Sequence, residues 1–176
     1  MNNSCDAIHS DLLAAHKLAY EPSGLICKNF VKEAESEEYG AFVFKMDNLC
    51  VKFRVAKITP TKIGQFVTLW KRVGNGPIQP HDIADPVDFF IVSVRNGERL
   101  GQFVFPKAIL CEQGVVSKNG KGGKRGMRVY PIWDITDNRQ AKKTQEWQLK
   151  YFFEINSNVC VDTTSIKKLF TIPQER

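Results

Sequence analysis

Asn96-Gly97 stands between two apolar runs, Asp88 to Arg95 and Arg99 to Phe105, and this leaves the middle of the chain little conformational choice. Asn-Gly suits a two-residue turn in which both residues take positive φ, so the flanking runs are expected to fold back as antiparallel strands. A second hairpin is expected upstream, where Asp47-Asn48 joins Ala41 to Met46 with Leu49 to Ile58. In its second strand Leu49, Val51, Phe53 and Val55 point one way and Lys52 and Arg54 the other, which predicts one cationic face.

Helical signals surround these hairpins. Ile8, Leu12, Ala15, Leu18 and Ala19 give Asp6 to Tyr20 an amphipathic rhythm that Pro22 and Gly24 end. Thr59-Pro60 reads as an N-cap and first helical position, and Ile63, Phe66, Val67 and Trp70 follow at helical spacing, predicting a helix from about 60 to 72. Pro106 opens a short helix that Gly114 closes, and short strands are expected at 115–117 and 127–130. Asp137 then caps a helix over 138–152, with Ala141, Gln145, Gln148 and Phe152 on one stripe, and a last short helix falls within Asp162 to Phe170. The expected class is α+β: a single domain over residues 1–176, with a mixed, mostly antiparallel sheet of two hairpins plus short strands, flanked by helices.

At 176 residues, 43% hydrophobic and 25% charged, the chain is long and apolar enough for one core and lies away from disordered compositions. No apolar stretch nears the roughly 20 residues needed to span a bilayer, and MNNSCDAIHSDLL has no basic and apolar leader pattern. A cytoplasmic protein without membrane partners is the expectation. Cysteines 5, 27, 50, 111 and 160 form no CxxC pair and read as reduced, mostly buried thiols.

The net charge of +6 is unevenly distributed. Residues 1–47 carry four lysines against eight acids, whereas 48–133 carry 14 Lys and Arg against five acids. Two windows contain no acid: Asn48 to His81, with Lys52, Arg54, Lys57, Lys62, Lys71 and Arg72, and Gln113 to Trp133, with Lys118, Lys121, Lys124, Arg125 and Arg128. An anionic partner is the natural inference, and solvated surface charge is the alternative. In the second window glycines 120, 122, 123 and 126 allow backbone N–H groups to approach a phosphate, and Tyr130 and Trp133 could stack on bases or fill a core. Arg54, Lys57, Thr59, Lys62 and Gln65 gather at the expected strand-to-helix junction, where a helix N-terminus would also favour anions. Lys143, Thr144, Gln145 and Gln148 place donors and acceptors on one or two helical turns, suited to reading a base or to a core polar network.

Catalytic signals are thinner. His9, His16 and His81 make no HxxxH or HExxH pattern, so no metal site is expected, and phosphate-loop and nucleophile-elbow motifs are absent. A metal-dependent nuclease would need acids around Mg²⁺ or Mn²⁺ with a lysine nearby. Glu38 and Asp88, with Lys52 or Lys107, are the candidates, although no acid and lysine follow Asp88 at restriction-type spacing.

Four strings carry a family resemblance: RVAKITPTKIGQFVTLWKR (54–72), GQFVFPKAIL (101–110), GKRGMRVYPIW (123–133) and QAKKTQEWQLKYF (140–152). In this order, over roughly residues 25–155, they resemble the MepB family of small bacterial proteins. The resemblance implies a fold likened to nucleic-acid-binding and nuclease-like proteins. The polar positions it carries over are Arg54, Lys57, Thr59, Lys62, Gln65, Lys71, Arg72, Lys107, Arg128, Gln140, Lys143, Thr144, Gln145 and Gln148. The combined expectation is DNA or RNA binding through a basic surface of residues 54–72, 117–128 and 138–152, with no cofactor required. The alternatives are the metal-dependent nuclease and a binding protein for an anionic, nucleotide-like small molecule.

Overall fold

The Phe89–Val94 run is apolar at every position but Ser93 because both faces of its strand are covered. A computed structural model of the chain describes residues 8–172. In it β8 (Phe89–Asn96) reverses into β9 (Arg99–Pro106) through Gly97-Glu98, with Gly97 at φ +59°; Asn96 closes the strand by pairing with Arg99 and does not take the positive φ expected of it. Phe89 and Ile91 face one core, and Phe90, Val92 and Val94 face another.

The upstream hairpin forms as β2 (Phe42–Met46) and β3 (Leu49–Val55). With β1 (Cys27–Lys32) and β11 (Phe152–Ile155) these strands make a six-stranded sheet in the order β1-β2-β3-β8-β9-β11. Among the strands of the described residues only β3 and β8 pair in parallel. On one face lie α1 (Ser10–Ala15), a π-helical turn to Tyr20 and α4 (Thr163–Leu169), which seal Leu12, Tyr20, Ile166 and Phe170 against Phe44, Phe53 and Phe89. Asp162 caps α4 by accepting from the N–H groups of Thr164 and Ser165. On the other face β4 (Lys57–Thr59), β5 (Lys62–Thr68) and β10 (Gly126–Val129) form a three-stranded sheet in the order β10-β5-β4, which brings Val67, Met127 and Val129 onto Phe90, Val92, Phe103 and Phe105. The α+β class and the mixed, mostly antiparallel sheet are as expected. No helix among the described residues is long and apolar enough to cross a membrane.

Several expectations change. Residues 60–72 are not a helix: Pro60 and Thr61 turn β4 (Lys57–Thr59) into β5 (Lys62–Thr68), and β6 (Trp70–Arg72) pairs with β7 (Ile78–Pro80). Gln65, Val67 and Leu69 are buried at a period of two, so the helical spacing of Ile63, Phe66, Val67 and Trp70 was coincidental. β-Branched and aromatic residues dominate the segment, and Gly64 at φ +82° would break a helix at its second turn. No helix N-terminus therefore sits at Thr59. The expected strand 49–58 divides at Ala56, β3 joining the large sheet and β4 the small one.

Residues 115–117 form only a bridge at Ser117, and the later strand is β10 (Gly126–Val129). Before them α2 (Lys107–Glu112) follows Pro106 as expected. α3 (Arg139–Gln148) is capped by Asn138, whose side chain accepts from Ala141 N–H, in place of Asp137. It ends early because Phe152 and Phe153 pair with Phe103 and Gln102 as an unforeseen edge strand. Cys27, Cys50 and Cys111 are half-buried free thiols and Cys160 is exposed, a correction to the buried reading. Cys5, Asp6 and Ala7 lie outside the described residues.

Candidate anion-binding groove

The structure sorts the predicted cations by whether a carboxylate neutralises them. Glu33, just beyond β1, accepts from Arg54 Nη1 at 2.6 Å and also pairs with Lys52. Arg54, 1% exposed, is one of the largest buried side chains, so the expected cationic face of β3 is interior. Burial alone would raise the Glu33 carboxyl pKa, but Arg54 and Lys52 outweigh it and hold the group below its ordinary value. Glu38 pairs with Lys57 at 3.3 Å, Glu35 with Arg72 at 2.9 Å, and Asp85 with Lys71. The acid-rich stretch before β2 thus lies on the cations of β3, β4 and β6.

Lys62, Lys118, Lys121, Lys124, Arg125, Arg128 and Lys143 make no ion pair among the described residues. Arg128, on β10, is nevertheless fixed. Its Nη2 donates to Thr59 Oγ1 at 2.8 Å, and its Nη1 donates to the carbonyls of Gly64 at 3.3 Å and Ile63 at 3.4 Å. A guanidinium held by neutral acceptors keeps its charge uncompensated.

Two cavities adjoin at this side chain. One of about 400 Å³ is lined by Thr61, Lys62, Ile63, Arg128, Tyr130 and the start of α3 at Asn138, Gln140 and Ala141. Asp137 is its one carboxylate, and it accepts from Asn138 Nδ2 at 3.0 Å. The other, about 280 Å³, shares Arg128, Tyr130 and Gln140 and continues past Lys124, Thr144 and Trp147 with no carboxylate in its wall. Together they form a groove between the β5–β10 edge and α3.

Local chemistry keeps its walls in place. Gly64 lets the Tyr130 ring lie on the β5 backbone, since a Cβ there would stand 2.7 Å from two ring carbons. Burial raises the Tyr130 phenol pKa, with Arg128 opposing. Gln148, fully buried, accepts from Tyr130 N–H and donates to the Arg128 carbonyl, both at 2.9 Å. Gln145 Nε2 donates to the carbonyls of Pro131 and Asp134 at 2.9 Å. These two glutamines are clamps that set Arg128 and Tyr130, while Lys143 lines neither cavity. Gln65 is buried beneath β5, where Nε2 donates to the Arg95 carbonyl.

The glycine-rich loop carries exposed Lys118, Lys121, Lys124 and Arg125. Several of its amides are already used: Lys118 and Lys121 N–H donate to each other's carbonyls, Lys124 N–H donates to the Val115 carbonyl, and Gly120 N–H donates to Asp82 at 2.9 Å. Asp82 also accepts from Ser117 Oγ at 2.6 Å and from Ala84 N–H, and these bonds hold its carboxyl at about 2.

The nuclease candidates do not converge. Glu38 is exposed on Lys57, Asp88 accepts from Cys50 N–H at 2.7 Å, Lys52 pairs with Glu33, and Lys107 Nζ donates to the Asp85 carbonyl at 2.6 Å. Among the described residues no group of three or more His, Cys, Asp or Glu is placed to hold a metal ion. Sequence reasoning missed Glu33 and Asp85 as neutralising partners, because each lies 14 to 21 residues from its cation. It also missed Asn138, whose capping signal was masked by the adjacent Asp137.

Fold and groove define a two-core α+β protein with a cationic cleft beside its smaller sheet. Residues 33–154 match the MepB-like family, and the chain belongs to it. The crystal structure of MepB is similar at 32% identity and a TM-score of 0.73, covering 89% of this chain and 99% of that one. No curated protein matches the chain.

Proposed function

We propose that the protein binds nucleic acid through the groove between β5, β10 and α3, with the 118–125 loop extending its cationic rim. The observation that carries this reading is Arg128: a fixed guanidinium without a carboxylate partner among the described residues, shared by two cavities. Lys62 and Lys124 flank it, and the first N–H groups of α3 add partial positive charge at the cleft floor. Such a site favours phosphate oxygens, and the free thiols at 27, 50, 111 and 160 suit a cytoplasmic setting.

The test is a fluorescence-anisotropy titration with labelled single-stranded and duplex oligonucleotides from low to physiological salt. Wild-type protein should show a steep log–log salt slope. Arg128→Gln should weaken binding to all sequences and reduce the slope by about 1. Lys124→Glu with Arg125→Glu, on an exposed loop, should act in the same direction without touching the fold. Absence of wild-type binding at low salt overturns the reading.

A further inference from the structure

The cations of the groove stand at two depths. Lys118, Lys121, Lys124 and Arg125 are exposed on the 118–125 loop, whereas Arg128 is half-buried, held by Thr59 and two β5 carbonyls. The lobe of about 280 Å³ that runs from Lys124 to Arg128 also has aromatic surface in its wall. Tyr130 and Trp147 both line it, and both are half-buried, so each keeps accessible surface. Trp147 leans on the core through Phe105, with ring centroids 5.4 Å apart, and Tyr130 rests on the bare backbone at Gly64. Protein backs each ring, which holds it in place against the cavity. No carboxylate stands in this wall.

A volume at the lower limit of small-molecule sites has room for one planar ring system and little more. Aromatic walls beside a recessed cation fit a ligand that joins a flat π-system to a phosphate. Stacking needs a base whose face is free, and in a duplex the faces of each base are covered by its neighbours. A duplex would also bring its phosphates to the exposed loop before any reached Arg128. We propose that the groove selects unpaired nucleic acid: one base enters this lobe and stacks on the aromatic wall of Tyr130 and Trp147, and the adjoining phosphate lies on Arg128. This selection rests on the nucleic-acid reading of the groove.

Three labelled probes of equal length decide it by fluorescence anisotropy: a single strand, its duplex, and a single strand of abasic sites, which keeps every phosphate. Wild-type protein should bind the intact single strand at least about fivefold tighter than the abasic one, the worth of one stacked base, and also tighter than the duplex. Raising salt should weaken both single strands in parallel, because stacking releases no counterions. Tyr130→Leu should lower affinity for the intact strand about fivefold and leave the abasic strand unchanged, while Tyr130→Phe should bind as wild type. Should Tyr130→Leu fail to fold, the wild-type comparison of intact with abasic strand decides alone. Equal wild-type affinity for those two strands, or a duplex bound as tightly as the single strand, overturns the selection and leaves the groove as a phosphate site. An equal loss in Tyr130→Leu and Tyr130→Phe overturns it as well. Absence of binding by all three probes at low salt overturns the nucleic-acid reading itself, and the selection with it.

Discussion

His81 shows how far one side chain can depart from its ordinary chemistry in this fold. It is 3% exposed, with Nδ1 3.3 Å from Asp85 Oδ2 and Nε2 without a partner among the described residues. Burial, reinforced by Lys52 and Arg54 and opposed by Asp85, pushes its pKa down to about 4, so it is neutral at pH 7. An unfolded histidine titrates near 6.5, so the neutral ring stabilises the fold fully above that pH and progressively less as pH falls toward 4. The whole window is worth on the order of 3 kcal/mol. Urea unfolding from pH 7 to 5 should show wild-type protein losing stability relative to His81→Gln, and parallel curves would refute the assignment. The sequence displayed this histidine and the cations around it but not their neighbours. Arg54 was legible as a positive charge on an alternating strand, whereas its burial depends on Glu33 arriving from the segment just beyond β1. Arg128 was singled out for its charge, and its distinction turned out to be the neutral acceptors that hold it.

At the scale of elements, hairpins were legible and the 57–72 segment was not. Asn96-Gly97 marks its hairpin locally, whereas β5 pairs on one side with the neighbouring β4 and on the other with Gly126–Val129, some sixty residues on, a partner that no local signal announces. Tertiary pairing overrode a capping signal at Thr59-Pro60 that was real but served a turn. The same distance hid β11, since Phe152 and Phe153 read as the end of a helical stripe until β9 is beside them. Gly64 joins element to groove, and Gly64→Ala should cost on the order of 2 kcal/mol or more in chemical denaturation, from positive φ and the clash with Tyr130. Gly97→Ala, also at positive φ but with nothing within 4 Å, is the control and should cost only its backbone strain. Equal losses would show that Tyr130 does not depend on the bare backbone at Gly64.

For the whole molecule, net charge misleads until it is mapped. The four glutamates at 33, 35, 37 and 38 lie against Lys52, Arg54, Lys57, Arg72 and Lys32, and remove much of the basic excess counted along the chain. What remains is concentrated at Lys62, Arg128 and the 118–125 loop. Exposed pairs of this kind contribute little to stability, so Glu35→Gln with Glu38→Gln should leave unfolding nearly unchanged while tightening oligonucleotide binding at low salt. Unaltered affinity would show that Lys57 and Arg72 lie outside the bound path. The parallel pairing of β3 with β8 has a further consequence, for biosynthesis. Residues 56–88 are spent on an excursion that lays down one wall of the groove, and the opposite wall is not supplied until Gly126 to Gln148. A nascent chain that has emerged as far as β9 already holds both hairpins of the large sheet, yet β5 still waits with an open edge and the sheet lacks β11. The cleft is therefore completed only once Gly126 to Gln148 have emerged, and any chain stopped before Gly126 carries half a groove and a strand with one open edge in its place.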